Sequence, residues 1–283
     1  MSEASMDNAL HRQTRTAAIV SGKGGVGKST VSVNLAIAMA RLKRDVLIMD
    51  ADLGLANIDV LLGLRPKGNL EQVLEGEREL SDIVLKGPEN ISVLPAVSGV
   101  GKMANLSNAE YGGLIGAFEG YKEPVDLLLV DAAAGISNDV VSFAKAVDDI
   151  IVVVCDEPAS VTDAYALIKV LNKEHGIKQF RVLANMVRSD SQGFDLYQTL
   201  VRTADRFMNV GLSYLGSIPH DDAQRQAAVR QGAVSVMFPN SRSAAAYEQL
   251  ALRFDALKSQ RKVSGRLQFF VEQLLKNEEA KPA

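Results

Sequence analysis

Short apolar runs alternate along this chain with longer stretches in which apolar residues recur every three or four positions. The runs Ala17–Val20, Val46–Met49, Ile91–Leu94, Leu127–Val130, Ile150–Val154, Val182–Ala184 and Tyr214–Ile218 read as strands. Most are continuous rather than alternating in polarity, which marks strands covered on both faces. The three-to-four periodicity predicts helices over Thr30–Arg41, Ser107–Tyr121, Asp139–Ala146, Val161–Glu174, Phe194–Met208, Ala223–Gln231 and Arg242–Leu257. Strand and helix in succession predict an α/β fold, a doubly wound, mostly parallel sheet with helices on both faces. One domain over residues 16–260 accounts for the pattern. A flexible polar tail at residues 1–15 is expected before it and a separate amphipathic helix at residues 264–277 after it.

In such a sheet ligands lie beyond the carboxyl ends of the strands, and the chemistry-bearing residues gather there. The first strand runs into Gly22-Lys23-Gly24-Gly25-Val26-Gly27-Lys28-Ser29, the G-x-x-x-x-G-K-[ST] frame of a phosphate-binding loop. The segment Gly24, Gly25, Val26, Gly27, Lys28, Ser29 and Thr30 is expected to cradle phosphates with backbone N–H groups and a helix N-terminus. Lys28 is placed to reach the β- and γ-phosphate oxygens, and the Ser29 hydroxyl to ligate Mg²⁺. Lys23, a second lysine at the start of the loop, is badly placed for its own nucleotide. It reads either as a solvated loop lysine or as a group that reaches the nucleotide of a second subunit docked face to face.

Asp50 and Asp52 end the second predicted strand and Asp131 the fourth. Asp131 fits a carboxylate that hydrogen-bonds Ser29 or a Mg²⁺-bound water, and Asp50 the holder of another such water; capping of a turn is the alternative for both. Asn185 ends the sixth strand with the donor and acceptor that an adenine edge needs, or else forms an Asx-turn. His11, His175 and His220 have no metal partner at useful spacing, which argues against zinc or iron.

The stretch K-G-G-x-G-K-[ST] at residues 23–29 resembles the deviant Walker A motif of the MinD/ParA family of dimerising ATPases. Asp50–Asn57 (DADLGLAN) is similar to that family's switch I, and Leu128–Gly135 (LLVDAAAG) to its Walker B and switch II region. Cys155–Lys169 (CDEPASVTDAYALIK) and Leu183–Met186 (LANM) resemble the FlhG/FleN branch, regulators of flagellar number. The resemblance implies a Mg²⁺-dependent ATPase that dimerises with ATP. It implies that Lys23 and Lys28 are essential, that Asp52 orients the attacking water, that Asn185 contacts adenine, and that Pro219, His220 and Asp221 pack on the base through their backbone. It further implies a flagellar transcription activator (FleQ/FlrA-like) and the GTPase FlhF as partners. A division-site selector of the MinD type and a DNA-partition ATPase of the ParA type share the chemistry. Two positions depart from the pattern: Ala132 stands where a hydroxyl residue or cysteine is usual, and Asp7–Arg12 only blurs the D-Q-A-x-x-L-R segment that stimulates FlhF.

Composition narrows the partners. Lys plus Arg number 31 against 34 Asp plus Glu, a net charge of −3, and this balance argues against direct DNA binding. The single Cys155 excludes a disulfide framework and any paired-cysteine cluster. With no signal-peptide core at the N-terminus, a cytoplasmic protein is expected. The stripe Leu267, Phe270, Val271, Leu274 and Leu275 makes one face of a terminal helix apolar, with Lys258, Arg261, Lys262 and Arg266 at its start. Such a helix docks on its own domain or lies in a membrane interface. The resemblance favours the second, on the anionic lipids of the inner membrane at the cell pole, and release on ATP-driven dimerisation reconciles the two.

Overall fold

The apolar runs assemble into one sheet in a computed structural model that describes residues 14–52, 57–95, 108–259 and 271–272. The chain runs β1 (Arg15–Ser21), α1 (Lys28–Arg41), β2 (Val46–Ala51), α2 (Ile58–Leu61), α3 (Leu70–Leu74), α4 (Leu80–Ile83), β3 (Leu85–Lys86), β4 (Ser92–Leu94), α5 (Asn108–Glu119) and β5 (Leu127–Ala134). It continues through α6 (Asn138–Ala146), β6 (Asp149–Val154), α7 (Pro158–Lys173), β7 (Gln179–Val187), α8 (Asp190–Asp205), β8 (Gly211–Pro219), α9 (Asp222–Val229), α10 (Val234–Met237) and α11 (Arg242–Ala256). The strand order is β3-β4-β2-β5-β1-β6-β7-β8. Every pairing is parallel except β3 with β4. The doubly wound α/β prediction is met. The short antiparallel β3 is additional, too brief to leave a periodicity.

Successive residues of the central strands feed two apolar layers. Ala18, Val20, Leu128, Val130, Ile150 and Val152 meet helices α3 to α8, whereas Ala17, Ile19, Leu127, Leu129, Ile151 and Val153 meet α1, α9, α10 and α11. Each large aliphatic side chain so buried is worth about 1.5–3 kcal/mol, which drives both layers onto the sheet. Ser189, Asp221 and Ser241 cap α8, α9 and α11, each side chain accepting a backbone N–H of the first turn.

One predicted boundary is corrected. Arg15 lies in β1 rather than in a flexible tail: its Nε donates to Asp149 Oδ2 at 2.8 Å, while the preceding Thr14 hydroxyl donates to the Val125 carbonyl at 2.8 Å. Arg181 Nε holds the other Asp149 oxygen at 2.9 Å, so a buried carboxylate ties β1, β6 and β7 together where the strands begin. Residues 1–13 lie outside the described residues.

The two ends of the sheet differ. β3 has two residues. In β8, Tyr214 pairs with Val182 and Gly216 with Leu183, leaving Leu215 as the extra residue of a bulge, with Gly216 at φ 150°. Val271 is buried, 1% exposed, in the apolar layer on the α3-to-α8 side of the sheet. Leu267, Phe270, Leu274 and Leu275 lie outside the described residues. Among the described residues no helix is long and apolar enough to cross a membrane.

Candidate functional site

The carboxyl ends of β1, β2, β5, β6, β7 and β8 bring most of the predicted site residues to one edge. Between β1 and α1 the loop starts at Gly22, which lies against the backbone of α7. A Cβ there would stand 2.1 Å from the Asp163 carbonyl carbon, so only glycine fits. Gly27 precedes α1 at φ 90°, a left-handed conformation that favours glycine, and a Cβ on it would fall 2.4 Å from Asn185 Nδ2. Sequence reasoning explains these glycines by phosphate approach; the structure adds that α7 and β7 crowd the loop from behind.

Lys28 is 8% exposed. Burial lowers its pKa, and the charges of Asp131 and Asp52 oppose that shift, so the ammonium sits in a carboxylate-lined recess. Asp131 is 1% exposed, and burial, reinforced by the charge of Asp50, pushes its pKa up to about 7, against the pull of the Ser29 and Ser32 hydroxyls and of Lys28. Its Oδ1 accepts from Ser32 Oγ at 2.9 Å, while Oδ2 is buried without a hydrogen-bond partner among the described residues. An orphaned carboxylate oxygen near Ser29 suits a metal-bound water, so these residues fit Mg²⁺.

Asp50 faces Asp131 across the β2–β5 ladder. Its carboxylate is engaged within the chain. Oδ1 accepts the Asp52 N–H at 3.1 Å, and Oδ2 accepts those of Asn57 at 3.0 Å and Ile58 at 3.2 Å. The buried carboxylate thereby holds the backbone of Asp52 and that of Asn57 and Ile58, a role its place in the sequence does not reveal. Burial raises its pKa and the three N–H groups pull it back. Ala132 is fully buried in the apolar layer, so a hydroxyl there would have faced hydrocarbon.

Lys23 points away from this recess and forms an ion pair with Glu157 at the start of α7. The hydrogen bond to Glu157 raises the Lys23 pKa. Asn185 and the β8–α9 loop, the residues expected to meet the base, lie on the same edge. Asn185 is 0% exposed; its Nδ2 donates to the Val26 carbonyl at 2.8 Å, and its Oδ1 is buried without a partner among the described residues. The donor half of the amide is thus spent on the phosphate loop, and only the acceptor is left for a ligand. Met186 follows at φ 57°, where β7 slips register between Ala184 and Val187; backbone strain in a non-glycine residue often sits at a functional site.

The His220 N–H bonds the Val187 carbonyl at 2.7 Å and its own carbonyl accepts from Arg242 at 3.1 Å. The Asp221 carboxylate is occupied within the chain, accepting from Ala223 N, Ser243 N and Ser243 Oγ. Pro219 closes β8. An open cavity of about 580 Å³ lies here, lined among others by Glu157, Met186, Arg188, Gln192, His220 and Arg242. Arg188, Gln192 and Arg242 carry no sequence signal that separates them from surface residues.

Comparison with known proteins agrees with this geometry. A family model described as ParA, NUBPL iron-transfer P-loop NTPase, matches residues 12–254. The chain is 49% identical over 260 residues to the antiactivator FleN of Pseudomonas aeruginosa, covering 92% of this chain and 93% of that protein. It is 32% identical to the flagellum site-determining protein YlxH of Helicobacter pylori, covering 84% and 81%. The septum site-determining protein MinD of Pyrococcus horikoshii, solved with Mg-ADP, superposes with a TM-score of 0.66 at 28% identity, over 86% of this chain and 96% of that one.

Proposed function

The chain belongs to the MinD/ParA family of P-loop ATPases, in its flagellar FlhG/FleN branch, and on that premise we propose that it is an ATP-driven dimerising switch that sets flagellar number or placement. The observation that carries the reading is the division of labour between its two loop lysines. Lys28 is buried over Asp131, while Lys23 stands at the open rim on Glu157. One lysine serves the chain's own phosphates and the other is turned toward whatever docks on the rim.

In this reading the backbone of residues 24–30 and Lys28 hold the phosphates, and Asp52 orients the attacking water. The Ser29 hydroxyl would ligate Mg²⁺, with Asp131 Oδ2 and Asp50 holding it mostly through bound water, and the ion would neutralise charge on the phosphates. The free Oδ1 of Asn185 accepts from an exocyclic amine, which adenine carries where guanine carries an oxygen, so ATP is preferred to GTP. Hydrolysis is slow and needs the dimer. Identity of 49% to a flagellar antiactivator against 28% to the archaeal MinD supports a flagellar transcription activator as partner, with FlhF as the opposing GTPase. The helix at 264–277 binds anionic lipids of the inner membrane at the cell pole after ATP-driven dimerisation frees it; the burial of Val271 fits its docked position. Iron transfer, named in the family description, has no paired-cysteine ligands to use in this chain, since Cys155 is the single cysteine.

The test uses full-length protein with ATP, ADP or GTP, followed by light scattering, phosphate release and capture of a FleQ-type activator. Dimer and hydrolysis with ATP alone, and activator capture by the flagellar route, are expected. A chain that stays monomeric in ATP, or turns over GTP equally well, refutes the switch.

A further inference from the structure

Ser32 is a buried polar residue of α1 whose contact with Asp131 carries a further consequence. It lies between Val31 and Val33, is 0% exposed, and stands one turn beyond Ser29. A buried hydroxyl inside an apolar helix costs free energy unless it is hydrogen-bonded. Serine here also gives up the helix propensity of alanine. The Ser32 hydroxyl has a single proton and two acceptors within reach: the Lys28 carbonyl at 3.1 Å, a bond within its own helix, and Asp131 Oδ1 at 2.9 Å, a contact across 99 residues of sequence. The bond to a carboxylate is the stronger when charged.

The contact has a directional consequence. By occupying Oδ1, Ser32 fixes the rotation of the Asp131 carboxylate about its Cβ–Cγ bond. Oδ2 is left without a hydrogen-bond partner among the described residues, while the Ser29 hydroxyl and the Lys28 ammonium act on the same carboxyl. Nothing on β5 itself can do this, because the next residue, Ala132, carries no hydroxyl and faces the apolar layer. We propose that Ser32 is a positioning residue that aims Asp131 Oδ2 at the metal-bound water of a Mg-nucleotide. The proposal rests on the reading of this edge as a Mg-nucleotide site and deepens it.

The experiment reads Mg²⁺-dependent nucleotide binding without turnover. A fluorescent ADP analogue is titrated into full-length wild type, Ser32→Ala and Ser32→Thr, first in EDTA and then across a Mg²⁺ series, with thermal melting of each protein alongside. Partners of this kind, one shell removed from a metal, set its affinity by about 10- to 100-fold. Ser32→Ala should therefore need at least about tenfold more Mg²⁺ for half-maximal tightening, with binding in EDTA unchanged, while the melts read separately what the buried Oδ1 loses with its partner. Ser32→Thr, which keeps the hydroxyl, should return the Mg²⁺ midpoint toward wild type. Superposable Mg²⁺ series for wild type and Ser32→Ala overturn the proposal. So does a Ser32→Ala protein whose binding falls equally in EDTA, since that marks a purely structural role. A wild type that shows no Mg²⁺-dependent tightening overturns the nucleotide reading itself.

Discussion

Lys23 and Glu157, separated by 134 residues, form an ion pair within one chain across the rim of the phosphate loop. If Lys23 serves a second subunit, that pair has to open as the subunits meet. Lys23→Ala is expected to bind nucleotide as a monomer and to neither dimerise nor hydrolyse. Glu157→Gln removes the competing charge and should shift the ATP-dependent dimer midpoint to lower protein concentration by roughly two- to fivefold, the modest size of an exposed pair. Sedimentation velocity with ATP decides both. Normal dimerisation of Lys23→Ala returns that residue to the status of a solvated loop lysine.

Lys28 and Asp52 should fail differently. Lys28→Ala loses the ammonium that faces the phosphates and should lose nucleotide binding altogether. Asp52→Ala keeps the phosphate contacts, so it should retain ATP and accumulate dimer while phosphate release falls by about 10²-fold or more. Equal loss of binding in the two variants contradicts these roles.

The Asp131 carboxyl, pushed up to about 7 from an ordinary 3.8, makes a signed pH prediction. A group that holds its proton more tightly folded than unfolded stabilises the fold fully below its unfolded pKa, and the contribution is lost as pH rises through the folded value. Melting temperature of the nucleotide-free protein should therefore fall between about pH 4 and 7, each tenfold difference in proton affinity being worth roughly 1.4 kcal/mol. Asp131→Asn should flatten that slope. A bound cation favours the carboxylate, so Mg-nucleotide affinity should rise across the same interval. Calorimetric melts of both proteins, with and without Mg-ADP, check the sign.

The terminal helix is expected to bind anionic vesicles only in the ATP-bound dimer. Leu267, Phe270, Val271, Leu274 and Leu275 each gain about 1.5–3 kcal/mol if fully buried. Ordering costs offset much of this, so a single helix binds weakly and a pair gains by avidity. Phe270→Glu places a charge in the apolar face and should abolish co-sedimentation with phosphatidylglycerol vesicles in ATP. Sedimentation equal to wild type, or none by wild type itself, leaves a helix that only packs on its own domain.

Much of this edge is legible in the sequence because strand ends and glycine loops are local signals. The runs ending at Val20, Met49 and Val130 deliver Gly22–Ser29, Asp50 and Asp131 to one side of the sheet without knowledge of any contact. What stays hidden are contacts between distant residues. Ser32 reads as one more position in a helix until Asp131 is seen beside it. Gly22 reads as a phosphate glycine, although the backbone of Asp163 is what excludes a side chain. The amide of Asn185 promises a donor and an acceptor, and only the fold shows the donor spent on Val26. Asp221 is read for its backbone alone, and only the fold shows its carboxylate joining α9 to Ser243. Elements of four or five residues such as α2 and α4 are too short for periodicity to register.

The ends of the sheet bear on solubility. Open strand edges are templates for another chain, and they lead to swapped or aggregated assemblies that do not come apart. Here one end stops after two residues and the other is bent by the Leu215 bulge and Gly216, so neither offers a long flat row of unpaired backbone groups. Exchange of strands between copies is thereby disfavoured at both ends of the sheet, which leaves the chain free of associations that could be undone only by unfolding.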